Sequence, residues 1–216
     1  YIPMPPAASY REDVVNASIH GFGFLASLAA LPWLLSRALS VGDIWSAVGA
    51  AVFGVGLVFL LLASTTYHFA KNPFRKVRLR LVDHAMIFIF IAMAYTPFCL
   101  TALRETWAVW LLPAAWVCAI AGVIFKLFAK SRFHVATVPL YLAMAWMAVA
   151  AIHPMQTFLP PASFSFLLAA GASFTIGTIF YALDKRVGFH AVWHVAVLVG
   201  CGCLTGSVFY VLPAAL

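Results

Sequence analysis

Apolar residues run along this chain in seven long stretches, separated by short clusters of charge, glycine and proline. Each stretch is about 20 residues or slightly longer, enough for a helix to cross a hydrocarbon layer of about 30 Å. The pattern predicts helices near 15–36, 45–69, 83–102, 107–127, 134–152, 163–183 and 189–211. Only the N-terminal segment and short loops are left outside these helices, so no soluble domain, linker or low-complexity tract is expected. The expected fold is therefore all-α: one seven-helix transmembrane domain over residues 1–216.

Composition agrees with that class. The chain is 65% hydrophobic and 9% charged, against roughly half apolar and about a quarter charged in a soluble domain. The sequence starts at Tyr1 without a methionine, from which a missing or trimmed N-terminus is expected. Arg11 is the one basic residue ahead of the first apolar stretch, and that stretch is long enough to span and stay, so no secretory signal is expected. Cys99, Cys118, Cys201 and Cys203 all fall inside predicted helices, none at a zinc-binding Cys-x-x-Cys spacing, which argues against a disulfide framework.

The net charge of +7 is unevenly placed. If the N-terminus is inside, the inner face receives Arg11, Lys71, Arg75, Lys76, Arg78, Arg80, Lys126, Lys130, Arg132, Lys185 and Arg186, and the outer face only Arg37 and Arg104. The positive-inside rule then gives N-terminus in and C-terminus out. A nucleic-acid partner is not expected, because the cations are split among loops; anionic lipid of the inner leaflet suits them better.

With that topology the polar residues gather at one depth. The second stretch closes with "STTYH", placing Ser64 and His68 near its inner end, and the seventh opens with "FHAVWH", carrying His190 and His194. "VDHAMIF" adds Asp83 and His84 at the start of the third, and "EDVVNASIH" adds Glu12, Asn16 and His20 at the start of the first. Ser64 and His68, like His190 and His194, are four residues apart and share a helix face. Asp83 and His84 diverge by about 100° around a helix, so at most one of them points well into a shared pocket.

Ionisable groups at membrane depth are costly and mark functional sites. Three imidazoles with a carboxylate and a hydroxyl nearby make the donor set of a catalytic zinc site, in which a fourth position is left for water. Asp83 then reads as the group that holds the water or moves its proton, and Ser64 as a hydroxyl that orients it. Each piece has a plainer reading. A lone transmembrane histidine is more often an interhelical hydrogen-bonding residue, the reading given to His134 and His153, and Asp83 could be a solvated charge at a helix start. Gly202 and Gly206, and Gly171 and Gly177, read as close helix contacts, and the aromatic residues as packing and interfacial anchors. The convergence of His68, His190, His194 and Asp83 favours a metal, with iron or manganese as chemical alternatives to zinc.

The blocks "EDVVNASIHGFGF", "STTYHFA", "RLVDHAMIFIFIAMAYTPFCL" and "FHAVWHVAVLVG" resemble the signature blocks of the bacterial hemolysin III family, the prokaryotic branch of the progestin and adipoQ receptor (PAQR) family. They extend from residue 12 to residue 200, with one departure: Ile19 stands where the first block would hold threonine. The resemblance implies a seven-helix bundle with an inside N-terminus and Zn2+ on His68, His190 and His194. It also implies Asp83 beside the zinc-bound water, Ser64 close by, and His20 as a supporting residue at most. Alkaline ceramidases in the wider superfamily imply hydrolysis of an acyl amide in a membrane lipid, and the bacterial branch implies a role in membrane homeostasis in the cytoplasmic (inner) membrane. The rival expectations are a non-enzymatic membrane sensor with a structural zinc, a haemolytic pore or ion transporter, and a bis-histidine haem protein. A receptor for a protein hormone is disfavoured by the lack of a sizeable extramembrane domain.

Overall fold

The computed structural model describes residues 10–40, 42–128, 137–184 and 186–212, and among these it contains helices and no strand. The helices are α1 (Tyr10–Leu39), α2 (Ile44–Phe69), α3 (Pro73–Leu100), α4 (Ala108–Phe128), α5 (Thr137–Trp146), α6 (Ile152–Phe158), α7 (Pro161–Ala182) and α8 (Phe189–Val211), with a 3-10 segment, Met147–Ala151, between α5 and α6. The run from Thr137 to Phe158 makes one span, so the described residues hold seven segments long and apolar enough to cross a membrane. The expected seven-helix architecture is therefore found. Lys130, Arg132, His134 and Lys185 lie outside the described residues.

Most helix ends fall near their predicted positions, but α3 begins ten residues before the expected Val82–Asp83 boundary. The reason is local. Asn72 Oδ1 accepts from the amides of Phe74 and Arg75 at 3.0 and 3.2 Å, and Pro73 fills the first helical position, where a missing N–H costs nothing. Arg75, Lys76, Arg78 and Arg80 consequently ride on the first turns of the helix, and Asp83 is an interior residue, 8% exposed. The reading of Asp83 as a solvated charge at a helix start is corrected by this cap.

At the other end of the bundle, Asp43 caps α2, accepting from the Ser46 hydroxyl at 2.7 Å and the Ser46 amide at 2.9 Å. These bonds hold the Asp43 carboxyl below the usual carboxylate range. Arg104 lies 3.8 Å from the same carboxylate.

The break in the fifth span is supported from α3. A 3-10 turn leaves backbone groups that lipid cannot satisfy. The Tyr95 hydroxyl lies 2.9 Å from the carbonyl oxygens of both Met144 and Ala145 and accepts from the Ala148 amide at 2.9 Å.

Chain neighbours pack as α1 on α2, α2 on α3, α3 on α4 and α7 on α8, and α1 closes onto α8. Side chains such as Leu34, Phe53, Leu61 and Phe88 are fully enclosed. Of the two glycine pairs, Gly177 and Gly206 do meet neighbours: a Cβ on them would stand 2.8 Å from Ala196 and 3.2 Å from Phe166. Gly171 and Gly202 have nothing within 4 Å, so each pair supplies one close contact and not two. All four cysteines are free thiols.

Candidate metal centre

His68 occupies the last turn of α2, and His190 and His194 the first two turns of α8. The sequence reason is spacing: four residues carry His190 once around the helix, so it projects from the same side as His194. One ring nitrogen from each of the three histidines lies within 4.8 Å of the others. The Nε2 atoms of His68 and His194 are 3.0 Å apart, and the His190 ring centroid lies 4.6 Å from that of His194 and 5.5 Å from that of His68. His68 and His194 are buried, while 30% of the His190 side chain is exposed.

The Nδ1 atoms of His68 and His194 have hydrogen-bond partners of their own. His68 Nδ1 lies 3.1 Å from Asp13 Oδ1. A carboxylate can only accept, so that nitrogen carries the proton and Nε2 presents its lone pair. Asp13 is in turn paired with the Lys76 ammonium. His194 Nδ1 lies 3.0 Å from His20 Nε2, and His190 Nδ1 lies 4.0 Å from Asp184 Oδ2.

Two tests bear on whether these residues suit a metal. The first is the donor set: tetrahedral zinc with N ligands at about 2.0–2.1 Å needs N···N separations of about 3.3 Å, close to the 3.0 Å between the two Nε2 atoms. The second is the set of buried polar atoms without hydrogen-bond partners among the described residues: Asn16 Oδ1, His20 Nδ1, Ser64 Oγ and Arg37 Nε. Each such atom costs about 1–3 kcal/mol. Three of the four belong to residues placed by sequence in the same polar group as the histidines, where a charged or hydrated guest would repay them. The residues present fit a metal.

Asp83 and Ser64 line one end of a cavity of about 220 Å³, together with His20 and His194. His84, the neighbour of Asp83, turns away: its Nδ1 lies 2.7 Å from Lys126 Nζ and its carbonyl accepts from the Tyr141 hydroxyl at 2.7 Å. Beyond the polar end the wall is apolar, with Ile91, Phe98, Met155, Phe164 and Leu204. Two lining residues, Trp146 and Leu168, are about half exposed on the side of the bundle formed by the fifth span and α7. The Trp146 indole donates across that seam to Thr175 Oγ1 at 3.1 Å. His153 is exposed and away from the cluster.

Asp13 is the residue that sequence reasoning passed over, in favour of its neighbour Glu12. The signal was available: Asp13, Asn16 and His20 fall at i, i+3 and i+7 on α1, one face of a helix, and all three are buried. Glu12 sits about 100° around from Asp13, where its carboxylate accepts from the Gly188 amide at 3.2 Å. Gly188 has a φ of +83°, a left-handed conformation that lets the chain turn directly into α8 and its histidines.

Comparison with known proteins shows the family to which the chain belongs. The model of the family described as "Haemolysin-III related" matches residues 8–205. The chain is 36% identical over 200 residues to the hemolysin-3 homolog of Bacillus subtilis, covering 93% of this chain and 94% of that one. It is 38% identical over 206 residues to hemolysin-3 of Bacillus cereus, covering 95% and 94%. A more distant relative is the human monocyte to macrophage differentiation factor, 26% identical over 202 residues, 86% of this chain and 78% of that protein. No solved structure matches. From family match, relatives and seven spanning helices together, the chain belongs to the haemolysin-III-related family of multi-pass membrane proteins.

Proposed function

We propose that this protein is a zinc-dependent intramembrane hydrolase acting on a lipid, with an acyl amide as the bond cleaved and membrane homeostasis as the context. The observation that carries the reading is the junction of a three-histidine cluster with an apolar cavity through Asp83, Ser64 and His194. His68, His190 and His194 would hold the metal. When bound, zinc supplies Lewis-acid polarisation of a carbonyl and of water at neutral pH.

The chain's own residues do the rest. The apolar wall takes up the hydrocarbon of the lipid and excludes water, and the polar end receives its amide. Asp83, enclosed beside Ser64, accepts a proton at a carboxylate oxygen as water attacks and returns it to the departing amine. Ser64, whose hydroxyl has no other partner, orients either the carboxylate or the attacking water. The half-exposed Trp146 and Leu168 mark the side from which a lipid reaches the cavity without leaving the bilayer. In this reading the basic end faces the cytoplasm of a bacterial inner membrane.

The test is fatty-acid release by the purified protein from a panel of lipid amides, followed by mass spectrometry, beside Asp83→Asn. Release that falls at least about 100-fold in the variant, with metal content unchanged, supports the mechanism. Metal-loaded protein that cleaves no lipid amide sinks it.

A second reading has its own observation. His68 and His194 join α2 and α8, helices that both pack on α1, so a metal there would also act as a structural clamp in a membrane sensor. That reading expects Asp83→Asn to keep both metal and cellular function.

A further inference from the structure

We propose that Asp13, anchored by Lys76, is the positioning residue that fixes the tautomer and direction of His68, so that α1 orients the metal centre without supplying a ligand to it. The inference rests on the metal reading given above and goes beyond it by assigning a role to two residues outside the donor set.

Three observations carry it. Asp13 Oδ1 is 3.1 Å from His68 Nδ1, the ring nitrogen that points away from the cluster, while Nε2 faces His194 Nε2. The other carboxylate oxygen, Oδ2, is occupied by the Lys76 ammonium, so the carboxylate is held at both ends. Asp13 is buried at the foot of α1, and its side chain and that of Lys76 are 13% and 17% exposed, so solvent competes little for either bond. A metal-binding imidazole needs its second nitrogen to donate, because the donation fixes which nitrogen carries the lone pair and raises its basicity.

Helix periodicity explains why α1 serves two ligands. His20 lies seven residues beyond Asp13, on the same face, and meets His194 Nδ1 at 3.0 Å. For both Nε2 atoms to address one cation, both Nδ1 atoms must carry protons, and the acceptors facing them are Asp13 Oδ1 and His20 Nε2. Of the two, Asp13 is the stronger, being an anion that cannot exchange roles with its partner as two imidazoles can. The three residues also join three helices, since Asp13, His68 and Lys76 come from α1, α2 and α3.

The experiment measures zinc affinity of the full chain in detergent by competition with a chromophoric chelator, for wild type, Asp13→Ala, Asp13→Asn and Lys76→Met. Wild type is expected to hold about one zinc per chain. Asp13→Ala should weaken zinc about 10–100-fold, and Asp13→Asn by less, because its amide oxygen still accepts from Nδ1. Lys76→Met should fall between wild type and Asp13→Ala. The visible spectrum of the cobalt-loaded protein should shift in Asp13→Ala, a change that a purely structural role would not produce. Asp13→Asn is isosteric, so it decides the matter if the alanine variant fails to fold. Folded variants that hold zinc as tightly as wild type, with an unchanged cobalt spectrum, overturn the positioning role and leave the metal reading intact. Wild-type protein that binds no zinc overturns both.

Discussion

His194 Nε2 stands 3.0 Å from His68 Nε2, although 126 positions separate the two residues in sequence. Two imidazole nitrogens meet at that distance when a proton on one of them, or a cation between them, is shared. Elemental analysis of purified protein should find about one zinc per chain, and His68→Ala or His194→Ala should lose it. Added zinc at about 100 times its dissociation constant should stabilise the wild type by about 2.7 kcal/mol, seen as a raised Tm, and should leave either variant unmoved. Equal Tm responses in wild type and variant would remove the histidines from consideration as ligands.

Asp83 is buried inside α3 and faces the cavity, not the three imidazoles' outer nitrogens. Asp83→Asn should therefore keep zinc within a few-fold while lowering lipid-amide turnover by about 10²–10⁴-fold. Ser64→Ala, which removes one orienting hydroxyl, should have a smaller effect of the same sign. Loss of zinc in Asp83→Asn would move Asp83 into the ligand set.

Gly171 lines the cavity with nothing near its missing Cβ, whereas Gly177, two turns along the same helix, is pressed against Ala196 and Trp193. Gly171→Phe should fill the cavity and block lipid turnover with the fold and the zinc intact. Gly177→Ala should destabilise by about 1–3 kcal/mol through overpacking. Thermal unfolding and turnover measured on both variants separate the two effects, and the reverse ranking would mean that the cavity is not the substrate site.

Asp43 stabilises the start of α2 in its charged form, and its folded pKa lies below the ordinary 3.8. The stabilisation is thus fully present above that ordinary value and is lost as the pH falls through the folded one. Asp43→Ala should cost about 1 kcal/mol at neutral pH. The Tm gap between variant and wild type should narrow on strong acidification; a gap that widened would show that the cap acts when protonated.

The seven spans were legible because the bilayer sets their length and demands a nearly continuous apolar run, a signal that tertiary packing cannot hide. The third span was misplaced for the opposite reason. Its first two turns carry Arg75, Lys76, Arg78 and Arg80, which read as loop by hydropathy, and only the Asn72-Pro73 cap reveals a helix there. The triad His68, His190 and His194 could be drawn together from sequence because depth is a coordinate shared by all helices. Asp13 could not be ranked above Glu12 on depth alone. That choice turns on the rotation of α1 about its axis, which the buried stripe Asp13, Asn16 and His20 settles. The break at Met147–Ala151 left no mark at all, since every residue in MAVAA is at home in a regular helix.

That break changes the mechanics of the bundle. A regular helix resists bending through a ladder of backbone bonds, each of which must stretch together with its neighbours. Between Met147 and Ala151 the ladder shifts to the tighter 3-10 pairing, and the Tyr95 hydroxyl adds links to Met144, Ala145 and Ala148. One phenol on α3 therefore ties the broken segment to its neighbour where both line the cavity. The histidines are carried on α2 and α8, so the break does not run through the helices that hold the metal centre.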